Sequence, residues 1–393
     1  MMNDKKIIYL DNSATTPVCD AALQKYIEIS RECYGNPSSL HALGFSAEKE
    51  ISAAKRMVLD SLGIKDGGVV FTSSGSEANN LAILGRAHSK ERYRGKVKII
   101  TTDSEHASVL APIEALKKEG YKTVNIPTRG GKLDTGTLLK EITPDTVLVS
   151  IMMVNNETGA LYDVKAVSEI IKSRSPEAYL HVDATQSYMK LPFTKSALGA
   201  DMITLSSHKI EGPKGVGALV IDNKVIKEKG LAPIVLGGGQ GLGLRSGTEN
   251  VPGIAAFGEA IRQAEKNLKA FGEHTATLRS RIIDGIEGDK LLSSISVTKP
   301  PRYAPHILNL TLPKIKSETM LHYLSSRGIY VSSGSACSSN SSHSSSALTA
   351  YGRSAAEADT SIRISLSLKN TEEEIDELLV ALSDGLSKLS RMK

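Results

Sequence analysis

Lys209 follows the apolar run Asp201-Met202-Ile203-Thr204-Leu205-Ser206 and stands at the polar turn Ser207-His208-Lys209, with the glycine-punctuated stretch Glu211-Gly212-Pro213-Lys214-Gly215 beyond it. A lysine amine is a useful nucleophile towards an aldehyde only where the fold fixes its position and its surroundings make the neutral amine accessible. Asp183 closes another apolar run, residues 178–183, 26 positions earlier. A carboxylate there is placed to face a pyridinium nitrogen, so the pair points to pyridoxal phosphate carried by Lys209.

Other residues fit the same ligand. Thr72-Ser73-Ser74-Gly75-Ser76-Glu77 follows a strand pattern and opens a helix predicted over 77–88, so hydroxyls and free amides of Gly75 and Ser76 converge on a helix start that suits a phosphate. The same residues also read as a plain turn and cap. Ser206 and His208, beside Lys209, offer further donors. His106, after the apolar run 97–101, is placed to stack on a planar ring and move protons near neutral pH, although a lone histidine at a strand end is more often structural. Gln186 recurs with Asp183, and Asn156 lies in the turn Asn155-Asn156-Glu157-Thr158-Gly159 that faces the same strand edge.

Cys337, in Gly334-Ser335-Ala336-Cys337-Ser338, lies among small polar residues rather than on an apolar face, which marks it as an exposed thiolate nucleophile ahead of an incidental surface thiol. Arg363 interrupts the otherwise apolar strand pattern around Ile362 and Ile364. A guanidinium there needs a carboxylate, and an amino-acid substrate offers one bidentately. Gly237-Gly238-Gly239-Gln240-Gly241-Leu242-Gly243 is not a dinucleotide site, because it lacks the strand–turn–helix setting and a later acidic residue. The polar loop after it, residues 244–250 with Thr248, is suited to a phosphate or to a partner subunit.

The elements that must position these groups follow from the hydropathy pattern. Short apolar runs at 69–72, 97–101, 146–152, 178–183, 201–206 and 215–221 alternate with longer periodic segments. This predicts an α/β fold with a largely parallel sheet, helices on its faces and ligands at the carboxyl ends of its strands. Ile51, Ala54, Met57, Val58 and Leu62 recur at helical spacing, as do Ile375, Leu378, Leu379, Leu382, Leu386 and Leu389; Thr371 with Glu374 forms a capping box before the latter helix. From about residue 262 the patterns mix differently, which predicts a smaller α+β domain (1–15 and 262–393) beside a large one (16–261). Residues 332–346 hold ten serines around Cys337 and predict a mobile loop.

Composition excludes several classes of function. The net charge of +5 comes from 48 basic and 43 acidic residues spread along the chain, and aromatics are 4% with no tryptophan, so neither a basic track nor a base-stacking surface for nucleic acid is present. No stretch approaches 18 apolar residues, which argues against a membrane span, and the short apolar run near the start is no signal segment; the expected compartment is the cytoplasm. Three cysteines, Cys19, Cys33 and Cys337, are too few and too scattered for a disulfide framework or a zinc cluster, so no metal is expected.

Taken in order, Tyr9-Leu10-Asp11-Asn12-Ser13-Ala14-Thr15-Thr16-Pro17, Gly35-Asn36-Pro37-Ser38-Ser39, His181-Val182-Asp183-Ala184-Thr185-Gln186, Ser207-His208-Lys209 and Gly334-Ser335-Ala336-Cys337 resemble the cysteine desulfurases of the class V aminotransferase group, over essentially the whole chain. The context of Cys337 is similar to the first of the two desulfurase groups. The resemblance implies a fold type I pyridoxal phosphate enzyme, with a mostly parallel seven-stranded sheet in its large domain. It further implies that Lys209 carries the cofactor, Asp183 pairs its ring nitrogen, His106 stacks on the ring, and Gln186 and Asn156 touch its oxygen side. Gly75, Ser76, Ser206 and His208, with Thr248 from the second subunit of a homodimer, would hold the phosphate. Arg363 and Asn36 would grip the substrate carboxylate. Cys337 would take sulfur from L-cysteine as a persulfide, release L-alanine, and pass the sulfur to an acceptor protein for iron–sulfur clusters or thiolated tRNA and cofactors. The chain departs from the family at Gly241-Leu242, where a charged residue is usual, and at Ser367, where glycine is. A selenocysteine lyase, a class V aminotransferase or a retired scaffold subunit are the alternative readings.

Overall fold

Apolar runs that are buried on both faces read as strands covered by helices, and six such runs with one half-exposed edge strand build one sheet. The computed structural model describes residues 6–333 and 345–389. With labels following the chain from β1 (Ile8–Tyr9), the sheet order is β2 (Gly67–Thr72), β8 (Gly217–Asp222), β7 (Met202–Ser206), β6 (Tyr179–Asp183), β5 (Thr146–Met152), β3 (Lys98–Thr102) and β4 (Lys122–Ile126). Pairs from β7 to β4 are parallel, whereas β8 is antiparallel to both β7 and β2. Every strand but β8 therefore points the same way, and Thr72, Thr102, Met152, Asp183 and Ser206 end on one edge, where β8 begins at Gly217. The six predicted strands are observed with ends shifted by two residues or fewer. Strand β4 escaped the pattern because it is a sheet edge, with exposed Lys122 and Asn125 breaking its apolar run.

Alternation along each strand feeds two cores. Val69, Phe71, Ile100 and Val149 face one layer, with Ile51 and Val58 of α2 (Ala42–Ser61; α1 is Asp20–Glu32) and Ile254 and Phe257 of the 38-residue helix Val251–Gly288. Val70, Ile99 and Leu148 face the other, with Leu81 of α3 (Gly75–Ser89) and Val109 of α4 (Ala107–Lys118).

A second, antiparallel sheet runs β12 (Ser332–Ser333), β13 (Ser361–Ser365), β10 (Ile307–Thr311), β9 (Ser296–Val297), and β1 pairs in parallel with β11 (Ile329–Tyr330). Its core takes Ile8 and Leu10 from the start of the chain and Leu278, Ile282 and Ile286 from the far half of the long helix. That helix runs unbroken through the boundary anticipated near residue 262. After β1 the chain crosses back towards the large sheet, where Thr16 donates from its amide to the carbonyl of His208 at 2.9 Å. Of the serine-rich stretch, Ser332 and Ser333 are strand and Ser346 begins a helix, so neither end is loop; residues 334–344, Cys337 among them, lie outside the described residues.

The C-terminal helix Glu372–Leu389 starts at the expected cap: Glu374 donates its amide to Thr371 Oγ1 at 3.3 Å, and Glu374 Oε2 accepts from the Thr371 amide at 3.3 Å. Thr371→Ala should cost about 1 kcal/mol. A urea unfolding curve should show a lowered midpoint at unchanged slope, and an unmoved midpoint would contradict the cap.

Candidate active site

A cavity of about 420 Å³ opens at the strand edge where the carboxyl ends gather, and ten of the thirteen residues predicted for the site line it. At one end lies the start of α3. Ser74 Oγ accepts from the Glu77 amide at 3.2 Å, which leaves the Gly75 and Ser76 amides without an acceptor within the helix. A Cβ on Gly75 would come within 3.3 Å of Ser206 Cβ and of Thr185 Oγ1, so glycine keeps this cradle open. Gly217 makes the same allowance beneath the turn, because a Cβ there would meet the Ser74 carbonyl carbon at 2.4 Å. His208 completes this end; its Nδ1 meets Thr15 Oγ1 at 3.2 Å, and burial together with the charges of Lys209, Lys214 and Lys190 pushes its pKa down to about 4. A neutral imidazole beside open helix amides suits an anion as a hydrogen-bond donor.

Asp183 ends β6 in the middle of the cavity, where its Oδ1 accepts from the Thr185 amide at 2.9 Å and its Oδ2 from Asn79 Nδ2 at 2.8 Å. Asn79 also donates to Ser108 Oγ at 2.8 Å, and Ser108 Oγ contacts His106 Nδ1 at 2.8 Å. The chain His106–Ser108–Asn79–Asp183 locks ring and carboxylate together. Because His106 Nδ1 accepts from the Ser108 amide at 3.1 Å, the neutral ring carries its proton on Nε2. Burial lowers the His106 pKa, partly opposed by Asp183 and assisted by Lys209 and Arg363. Beneath it Glu105 is buried, with Oε1 accepting from Thr102 Oγ1 at 2.6 Å and from the Met152 amide at 3.0 Å; burial pushes its pKa up to about 8.

Lys209 Nζ donates to the carbonyls of Ser13 and Ala14, each at 2.6 Å, and Gln186 Nε2 donates to the same Ser13 carbonyl at 2.9 Å. At the opposite end, Arg363 on β13 is 3% exposed; it donates to Asp11 Oδ1 at 2.9 Å, to Glu157 Oε1 at 3.0 Å and to the Asn156 carbonyl at 3.0 Å. The carboxylate that a buried guanidinium needs is thus already met twice within the protein, by Asp11 and Glu157. Burial raises the pKa of both Asp11 and Glu157, and Arg363 opposes the rise. Asn156 lines the cavity, and its amide donates to Glu157 Oε1 at 3.0 Å.

Two predicted residues are not brought to this cavity. Asn36 is exposed, and its Oδ1 accepts from the Ser38 amide at 2.9 Å, so it caps its own turn. Thr248 is exposed on the loop that Arg245 pins to α3 through Glu77 Oε1 at 2.8 Å. The third, Cys337, falls outside the described residues, four positions after Ser333 and five after Ser332, which lines the cavity. Asn79, Ser108, Asp11, Glu157 and Lys190 were missed as members of the site. Asn79 carried a usable signal, since it sits one helical turn after Gly75 on the face that α3 turns inward. Among the described residues no cluster of histidine, cysteine, aspartate and glutamate could hold a metal, and no helix is long and apolar enough to cross a membrane. The residues present fit a planar phosphorylated aldehyde: an open cradle at a helix start, a fixed carboxylate and ring in the middle, and a lysine amine.

The family described as aminotransferase class-V matches residues 8–378. The cysteine desulfurase IscS 1 of Archaeoglobus fulgidus is 39% identical over 388 residues, spanning 98% of each chain. A solved NifS-like protein superposes with a TM-score of 0.89 at 36% identity, covering 97% of this chain and 100% of its own. A structure titled SspA in complex with cysteine has a TM-score of 0.78 at 32% identity, covering 93% of this chain and 100% of its own.

The buried Glu105 gives a prediction. Its carboxyl keeps a proton in the folded chain up to about pH 8, whereas the unfolded chain releases it near 4.5, so folding stability falls as pH rises between those values. The steepest slope from one such proton is about 1.4 kcal/mol per pH unit. Glu105→Gln should remove this component, so that unfolding midpoints of the variant gain on the parent from pH 5 to 8. Parallel profiles would show that Glu105 is ionised in the fold.

Proposed function

The chain belongs to the aminotransferase class-V family, and from that membership and the cavity together we propose that it is a cysteine desulfurase, taking sulfur from L-cysteine and leaving L-alanine. The observation that carries this reading is the meeting of Lys209, Asp183 and His106 in one cavity with Arg363 at its far end and, at its wall, the strand that leads towards Cys337. In this reading Lys209 would carry pyridoxal phosphate, Gly75, Ser76, Ser206 and His208 would hold its phosphate, and Asp183, fixed by Asn79 and Thr185, would pair with its ring nitrogen. When bound, the cofactor supplies the electron sink that makes the carbon–sulfur bond of cysteine breakable.

The chain's own residues do the rest. Arg363 binds the substrate carboxylate, sharing a guanidinium already held in place by Asp11 and Glu157. His106, kept neutral by burial, would lie against the cofactor and presents a proton on Nε2. The Cys337 thiolate attacks the substrate sulfur, so that a sulfur–sulfur bond forms as the carbon–sulfur bond breaks. The departing electron pair stays with the carbon, which is then protonated to give alanine. The exposed Thr248 reaches the phosphate end of a second subunit, and an acceptor protein takes the persulfide sulfur onward.

Reconstitution with pyridoxal phosphate tests the reading. Wild-type protein should show a visible band that Lys209→Ala lacks. Cys337→Ala should keep the band and still respond to cysteine, while alanine formation falls roughly 10³-fold or more. Alanine production at the wild-type rate by Cys337→Ala would rule out the thiolate mechanism and favour a lyase that releases the sulfur without that thiol.

A further inference from the structure

Lys190 is an amine where burial alone would favour a hydrocarbon. It is 5% exposed, and no carboxylate among the described residues pairs with it. Its pKa responds to the charges of Lys209 and Arg363, the amine acts in turn on His208 and His306, and Glu211 and Lys369 share the wall of a neighbouring cavity with it. Burial, with the charges of Lys209 and Arg363, brings its pKa down to about 7. A buried group that carries this penalty calls for a contact that an apolar residue could not make.

That contact is with Gln186. Lys190 Nζ donates to Gln186 Oε1 at 3.4 Å, and the other end of the same amide, Nε2, donates to the Ser13 carbonyl at 2.9 Å. Ser13 O also receives Lys209 Nζ at 2.6 Å. A primary amide has one accepting and one donating end, so whichever group meets the oxygen decides where the NH2 points. Only a donor can meet Oε1, and Lys190 is that donor. Of the two N–H bonds on Nε2 one is spent on Ser13, and Gln186 lines the cavity. We propose that Lys190 is a positioning residue: its amine anchors the Gln186 amide so that the NH2 end serves both the carbonyl that holds Lys209 and the ring oxygen of the cofactor. The assignment rests on the reading that Lys209 carries pyridoxal phosphate.

The test uses the full-length protein loaded with pyridoxal phosphate and reads the visible band, its pH midpoint and the rate of cofactor loss to a scavenging apoenzyme. Lys190→Met keeps the length and removes the donor. It should fold and keep a band, but with the pH midpoint moved by about half a unit or more and cofactor loss about three- to tenfold faster, the scale of one hydrogen bond. Lys190→Arg, for which a neighbouring cavity of about 230 Å³ leaves room, should restore both readings. In a Gln186→Ala background Lys190→Met should add nothing, because the amide through which it acts is gone. A wild-type midpoint and retention in Lys190→Met would overturn the assignment, as would an undiminished effect in the Gln186→Ala background. Should the methionine variant fail to accumulate, Lys190→Arg decides alone: altered midpoint and retention count against the proposal, wild-type values for it. A wild-type protein that takes up no cofactor overturns both this assignment and the reading beneath it, whereas a normal band indifferent to Lys190 overturns only the assignment.

Discussion

The site depends on one guanidinium buried between three distant pieces of chain. Arg363 comes from the four-stranded sheet, Glu157 from the turn after β5 of the large sheet, and Asp11 from the segment that crosses between the two. A buried ion group of this kind adds little stability over an apolar replacement, but removing one member strands the others at a cost of about 3–5 kcal/mol. Its consequence is geometric. With Asp11 held, the carbonyls of Ser13 and Ala14 are placed where Lys209 Nζ donates to them, and the opening between the two sheets is set.

The large sheet contributes a different constraint. Because all strands but β8 run the same way, turns at their carboxyl ends collect donors, a carboxylate and an imidazole on one edge, and the amides at the start of α3 add a positive pole. Hydrogen bonds then orient each group: Asn79 and Ser108 couple the ring of His106 to Asp183, and the amide of Gln186 bridges Lys190 to Ser13. Burial keeps His106 and His208 neutral, which suits them to donate or exchange a proton rather than to repel Lys209.

Much of this was legible in the residues themselves. Lys209, Asp183, His106 and the Ser74-Gly75-Ser76 turn stand at the ends of apolar runs, and a largely parallel sheet brings such ends together whatever the spacing between them in the chain. Relationships that depend on tertiary packing were not legible. Nothing local to Arg363 announces that Asp11 and Glu157, 352 and 206 positions away, already satisfy it. Lys190 reads as one more polar residue of a turn until its burial is seen. Strand β4 alternates too weakly, being half exposed, and Asn36 belongs to a quoted motif yet turns its side chain to its own backbone.

In the proposed reaction an amine at 209 and a thiol at 337 act on one molecule of cysteine. It is tested most directly by a single turnover, with one equivalent of L-cysteine and no acceptor, followed by peptide mapping under non-reducing conditions. One alanine per active site and one added sulfur atom on the peptide that bears Cys337 are expected. Alanine formed with no sulfur gained by that peptide, or with the sulfur on Cys19 or Cys33, would contradict it.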